Sequence, residues 1–127
     1  MKKYYLFFLL LIVSSCSIFE EEDDYIYNLW ASVENIEIIS NNNAQLNLNI
    51  DLGIPTPCNE YYRRDITVSN DTVTIKYYSK VRKDIACSQV LSQIFVTDVI
   101  HLENNKSYLF RFWKLGDSYL DTLIVIK

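Results

Sequence analysis

Between residues 46 and 52, Leu46, Leu48, Ile50 and Leu52 alternate with Asn47, Asn49 and Asp51. A period of two sends every apolar side chain to one side of an extended chain, the mark of a β-strand with one face buried. Further candidate strands run over 33–39, 61–68, 73–78, 93–101, 107–113 and 118–126. Helical periodicity is nowhere sustained. The pattern predicts an all-β domain of seven short strands.

Turns separate these strands at Asn41-Asn42-Asn43, residues 53–57, Asn70-Asp71, Asn104-Asn105 and Gly116-Asp117. The chain has only two glycines, so Asn and Asp, which tolerate left-handed backbone, are expected to take the tight positions. Seven strands at this spacing in about 100 residues favour an immunoglobulin-like or fibronectin-III-like sandwich.

Strand registers follow from the turns. A two-residue hairpin at Asn70-Asp71 sets Ser69 opposite Thr72, Asp65 opposite Lys76, Arg63 opposite Tyr78 and Ile66 opposite Ile75, so that opposite charges meet and apolar residues meet. The same exercise at Asn104-Asn105 and Gly116-Asp117 predicts a three-strand meander. Val99, Phe110 and Leu123 then form one core row, and His101, Tyr108 and Val125 the next. On the reverse face Asp98, Arg111 and Thr122 form a polar row, flanked by Val96, Trp113 and Leu120 on one side and Ile100, Leu109 and Ile124 on the other.

That reverse face is apolar enough to suggest a partner site around Leu109, Trp113, Leu120 and Ile124. Two alternatives compete with it: the aromatic segment of residues 25–30 folds back over the face, or its inside and outside are exchanged. A second candidate site comprises Tyr61, Tyr62, Arg63 and Arg64 with Tyr77, Tyr78, Arg82 and Lys83, because Tyr and Arg are favoured at interfaces; Tyr61, Arg63 and Tyr78 are its leading members. Stacking aromatics suit a glycan as well as a protein. The competing reading sends half of each tyrosine pair into the core and pairs the basic residues with nearby carboxylates.

The N-terminus gives location. Lys2-Lys3, an apolar run over 4–13 and Ser14-Ser15 have the layout of a secretory signal occupying residues 1–15, and ten apolar residues fall short of the ~20 a membrane-spanning helix needs. Val13-Ser14-Ser15-Cys16 resembles the lipobox of bacterial lipoproteins. The resemblance implies that Cys16 becomes the first residue of the mature chain and carries several acyl chains, palmitate among them, which meets the requirement of more than one chain for stable anchoring. Residues 16–28 then form a tether, and 29–127 the domain. The acidic run Glu20-Glu21-Glu22-Asp23-Asp24 reads first as solvated chain. Just past a lipidated cysteine, it also resembles the surface-export signal of Bacteroidota lipoproteins, which implies an outer-membrane location, surface-exposed or facing the periplasm.

With Cys16 assigned to lipid, two of the three cysteines remain, and in an exported protein an even remainder implies a disulfide, Cys58 to Cys87. Residues Pro55-Thr56-Pro57-Cys58 and Cys87-Ser88-Gln89-Val90-Leu91, followed by a strand, a turn and Tyr108, resemble a pattern in small exported bacterial domains of unknown function. It implies the same bridge and a β-sandwich, and no activity.

Composition narrows function. Without Lys2 and Lys3 the mature chain holds ten Lys plus Arg against sixteen Asp plus Glu, a net charge of about −6, so the basic footprint of a nucleic-acid binder is absent. His101 is the sole histidine, and no cysteine pair has metal-ligand spacing, so no metal is expected. No nucleophile motif and no Gly-rich phosphate loop is present, so neither catalytic residues nor cofactors are assigned. The expected function is a membrane-anchored, non-catalytic binding or assembly module for a protein or glycan at the cell envelope. The alternative is an exported inhibitor of an envelope or extracellular hydrolase, whose mark is a protruding, extended loop near Pro55-Thr56-Pro57.

Overall fold

A computed structural model describes residues 24–127. The expected leader, Cys16 and all of the acidic run but Asp24 lie outside the described residues. The described chain is all-β: β1 Tyr25–Asn42, β2 Gln45–Ile54, β3 Glu60–Ser69, β4 Thr72–Arg82, β5 Ser92–His101, β6 Ser107–Lys114 and β7 Ser118–Val125. All seven expected strands are present. β1 begins four residues before the expected domain boundary at residue 29, because residues 25–28 continue the strand.

Strand order is β5-β2-β1-β4-β6-β7, with β3 on the other side of β4. β1 is hydrogen-bonded to two partners in succession, to β4 through residues 25–31 and to β2 through residues 32–42. Asn28 sits at φ 58° inside a register shift of the first ladder, a bulge that bends the strand. β4 is shared likewise, running antiparallel to β1 at its C-terminal half and parallel to β6 over residues 72–75. One core fills the space between these arms, containing Leu46, Leu48, Ile50 and Leu52 from β2, Val73, Ile75 and Tyr77 from β4, and Phe110 and Phe112 from β6, all at 0 % exposure. Each such side chain contributes roughly 1.5–3 kcal/mol.

The hairpin at Asn70-Asp71 has the expected register, including Asp65↔Lys76 and Ile66↔Ile75. The meander does not form. β5 pairs with β2 along its whole length, from Gln45↔His101 to Ile54↔Ser92. That pairing sets Ile94, Val96 and Ile100 beside Leu52, Ile50 and Leu46. Residues 102–106 therefore cross between arms instead of forming a hairpin. Val99 and His101, expected in the core, are exposed, while Ile100 is buried.

The β6–β7 turn holds three residues, with Lys114 opposite Ser118 and positive φ at Gly116 and Asp117. One residue more than expected slips the register, and a slip of one exchanges the faces of the strand. Leu123 and Val125 accordingly lie outside, and Ile124 and Ile126 inside.

Asn and Asp take left-handed backbone as expected at Asn43, Asn70, Asn105 and Asp117. Ala44, at φ 62°, is held there by its N–H donating to the Lys127 carbonyl and its carbonyl accepting from Leu102 N–H. The Cys58–Cys87 disulfide is present, with 29 residues of sequence separation. Beneath it Thr56 Oγ1 donates to Asn59 Oδ1, and Asn59 Nδ2 donates to Ser79 Oγ.

Two outcomes follow for stability. Replacing Cys58 and Cys87 together by alanine should lower unfolding free energy by about 3.5 kcal/mol in urea titrations, as the chain-entropy model gives for a loop of this length. Ala44→Gly should raise it by about 0.5–1 kcal/mol, because glycine occupies positive φ without a Cβ clash.

Candidate functional site

Alternation on β4 separates two environments. Val73, Ile75, Tyr77 and Ser79 point into the core, which leaves Lys76, Tyr78 and Lys80 on the outer face. Strand pairing brings Arg63 beside Tyr78 from β3 and Trp30 from β1. On this face aromatic rings and cations interleave. The Arg63 guanidinium stands 4.2 Å over the Tyr78 ring, and Lys76 Nζ 4.5 Å over Trp113. Toward the start of β1, Lys80 Nζ lies 4.3 Å over Tyr25; the Tyr25 and Tyr27 rings are 5.9 Å apart, and Tyr27 and Tyr62 are 4.7 Å apart. The bulge at Asn28 has a direct role, since Asn28 Oδ1 accepts from Arg63 Nε at 2.9 Å and so holds the guanidinium over its ring. Cation–π contacts contribute about 0.5–1 kcal/mol each where exposed.

Three expected site residues, Arg63, Tyr78 and Trp113, thus belong to one surface, although the sequence assigned them to two sites. Leu109 is on the same outer side, opposite Leu123. Leu120 packs against the core and Ile124 is 5 % exposed, so the open apolar patch expected around them is not formed; the β7 register places them inside. Trp113 is only 8 % exposed, covered by Lys76, with its Nε1 donating to Asp117 Oδ1. Tyr61 takes the inner side at the rim of the core, 6.3 Å from the Tyr77 ring. From sequence, Tyr25 and Tyr27 figured only in a segment that could cover the reverse face and Lys76 only as the partner of Asp65, and Lys80 was not singled out. The alternation of Tyr25 and Tyr27 was the available signal that this segment is itself a strand of the domain.

Asp98, expected in an outer polar row, instead closes the gap between the edge strands β3 and β5. Arg64 Nε donates to Asp98 Oδ1 at 2.9 Å, Tyr77 OH donates to Asp98 Oδ2 at 2.6 Å, and Arg64 also reaches the Val99 carbonyl. Burial pushes the Tyr77 phenol far above its ordinary pKa, and the hydrogen bond to Asp98 adds to the shift. Tyr61 is raised too, first by desolvation and then by Asp98. Arg111 pairs with Asp121 on β7 rather than with Asp98.

A groove of about 620 Å³ opens where β1, β2, β5 and the β6–β7 turn converge. Trp30, Ile54, Leu91 and Leu115 form its apolar walls, with Glu34 and Ser32 among its polar groups. Its volume is within the range of small-molecule sites. The Pro55-Thr56-Pro57 segment does not protrude as an extended loop. It turns back on itself, with Asn59 N–H bonded to the Thr56 carbonyl and both Thr56 and Asn59 buried.

No family model, no curated protein and no solved structure matches this chain.

Tyr77 supplies a pH test. A phenol whose folded pKa is raised stabilises the fold fully below the unfolded value of about 10, and that contribution is lost as pH rises toward the folded pKa. Tyr77→Phe should therefore cost about 1–2 kcal/mol near pH 7, where Asp98 loses a donor. Its deficit relative to wild type should shrink above about pH 10, as read by urea unfolding across that range.

Proposed function

We propose that this chain is a lipid-anchored exported protein of the bacterial outer membrane, displaying a non-catalytic binding or assembly module to a protein or glycan at the cell envelope. In this reading Cys16 carries the anchor, and the domain is an immunoglobulin- or fibronectin-III-like sandwich whose two layers share β1. The observation that carries the binding role is the aromatic–cation face of Tyr25, Tyr27, Tyr62, Arg63 and Tyr78. Binding energy concentrates in tyrosine and arginine at interfaces. Here the rings are held by neighbours before any partner arrives, which lowers the entropy lost on association.

A protein partner is favoured over a glycan on one point. Sugars stack on open ring faces, whereas the Tyr78 and Trp113 rings are already covered by Arg63 and Lys76.

Crosslinking with mass spectrometry in the native envelope should recover a partner attached near Lys80 or Tyr62. Tyr62→Ser, at a side chain 39 % exposed, should weaken that complex roughly tenfold, or about 1.4 kcal/mol, without unfolding the domain. Unchanged partner recovery in this variant would remove the face from the binding role. Independently, Cys16→Ser should shift the chain from the membrane to the soluble fraction.

A further inference from the structure

We infer that the end of the domain where the chain enters is apposed to the bilayer, with the disulfide-held loop of residues 83–91 and the β6–β7 turn touching phospholipid; this orientation rests on the lipid anchor at Cys16. Several connections gather at that end. Asp24 accepts from Lys83 N–H at 2.7 Å, and Tyr25 is opposite Arg82. The Leu115 N–H donates to Ser32 Oγ at 3.0 Å, which ties the β6–β7 turn to β1 opposite Gly53, beside Ile54 and Leu91 of the groove. Cys58 and Cys87 bridge the loop to the β2–β3 connection, so the loop is held in place rather than free to retract.

Apolar side chains are exposed in these connections, two of them, Leu91 and Leu115, at the rim of the groove. Leu91 is 72 % exposed, Val90 61 %, Leu115 53 % and Ile85 45 %. Loop tips are ordinarily polar, as they are at the opposite end, where the connections carry Asn42, Asn43, Asn70, Asp71, Glu103, Asn104 and Asn105. The two ends of the domain therefore differ in kind, and the apolar one is the end the tether reaches.

Chain length fixes the occupant. Asp24 stands eight residues after Cys16, and eight residues span at most about 29 Å. The lipidated cysteine thus confines this end to the membrane it is anchored in, at a local lipid concentration no soluble partner would match. Contact by these apolar tips adds a second, weak signal to the acyl chains.

The test is amide hydrogen exchange on the full mature protein in vesicles of phosphatidylethanolamine and phosphatidylglycerol, compared with the Cys16→Ser protein free in solution. Intact mass and vesicle flotation report the anchor separately. Exchange in residues 84–91 and 115–117 should slow severalfold on vesicles, with residues 102–106 unchanged. Val90→Ser with Leu91→Ser, both at exposed positions, should remove the protection while flotation persists. A lipidated, floating protein with no protection at 84–91, or with protection at 102–106 instead, overturns the orientation and leaves the anchor standing. An unmodified Cys16 with no flotation overturns both.

Discussion

The structure depends on the length of β1. Eighteen residues of extended chain allow one strand to bond to β4 first and to β2 afterwards, and this makes a single core out of two groups of strands. A shorter strand would leave β2 and β5 joined to the rest only by loops, with Leu46, Leu48, Ile50 and Leu52 separated from Val73, Ile75, Phe110 and Phe112 of the common core. The bulge at Asn28 provides the bend the switch requires, and its side chain positions Arg63. Core formation and the outer aromatic–cation face therefore depend on the same strand.

Both open edges of the assembly are closed by polar groups. Between β3 and β5 the closure is Arg64, Asp98 and the buried Tyr77. On the other side, Asn41 Nδ2 donates to the Val125 carbonyl and Lys127 N–H donates to Asn41 Oδ1. Unpaired strand edges invite association with other chains, and side chains that occupy the edge groups reduce that tendency while still allowing strands to end where the apolar pattern ends. The Arg64 guanidinium and the Asp98 carboxylate satisfy one another in a partly buried setting, where either alone would be costly.

Legibility in the sequence followed the range of the interactions. The β3–β4 hairpin was readable because its register is set by two turn residues and confirmed by adjacent pairs, Asp65 with Lys76 and Ile66 with Ile75. The disulfide was readable from the count of cysteines. The β5–β6 connection misled, since Asn104-Asn105 has the composition of a hairpin turn yet links strands that never pair. At the β6–β7 turn, Leu115 joined Gly116 and Asp117, and that one residue moved Leu120 and Ile124 from a supposed binding patch into the core. The candidate face suffered the same limitation. Tyr78 and Arg63 were identifiable, but their union with Trp113, Lys76, Tyr25 and Tyr27 spans four strands far apart along the chain.

By itself the sequence determined the strands, the all-β class, the turn chemistry and the cysteine pair, because period-two burial, backbone preference and loop closure are local or countable properties. Tertiary structure alone decided which strands became neighbours and which face of β5 and β7 turned inward. Those outcomes arise from competition among distant apolar rows for the same core, as when β2 took β5 away from β6, and no local pattern records which row wins.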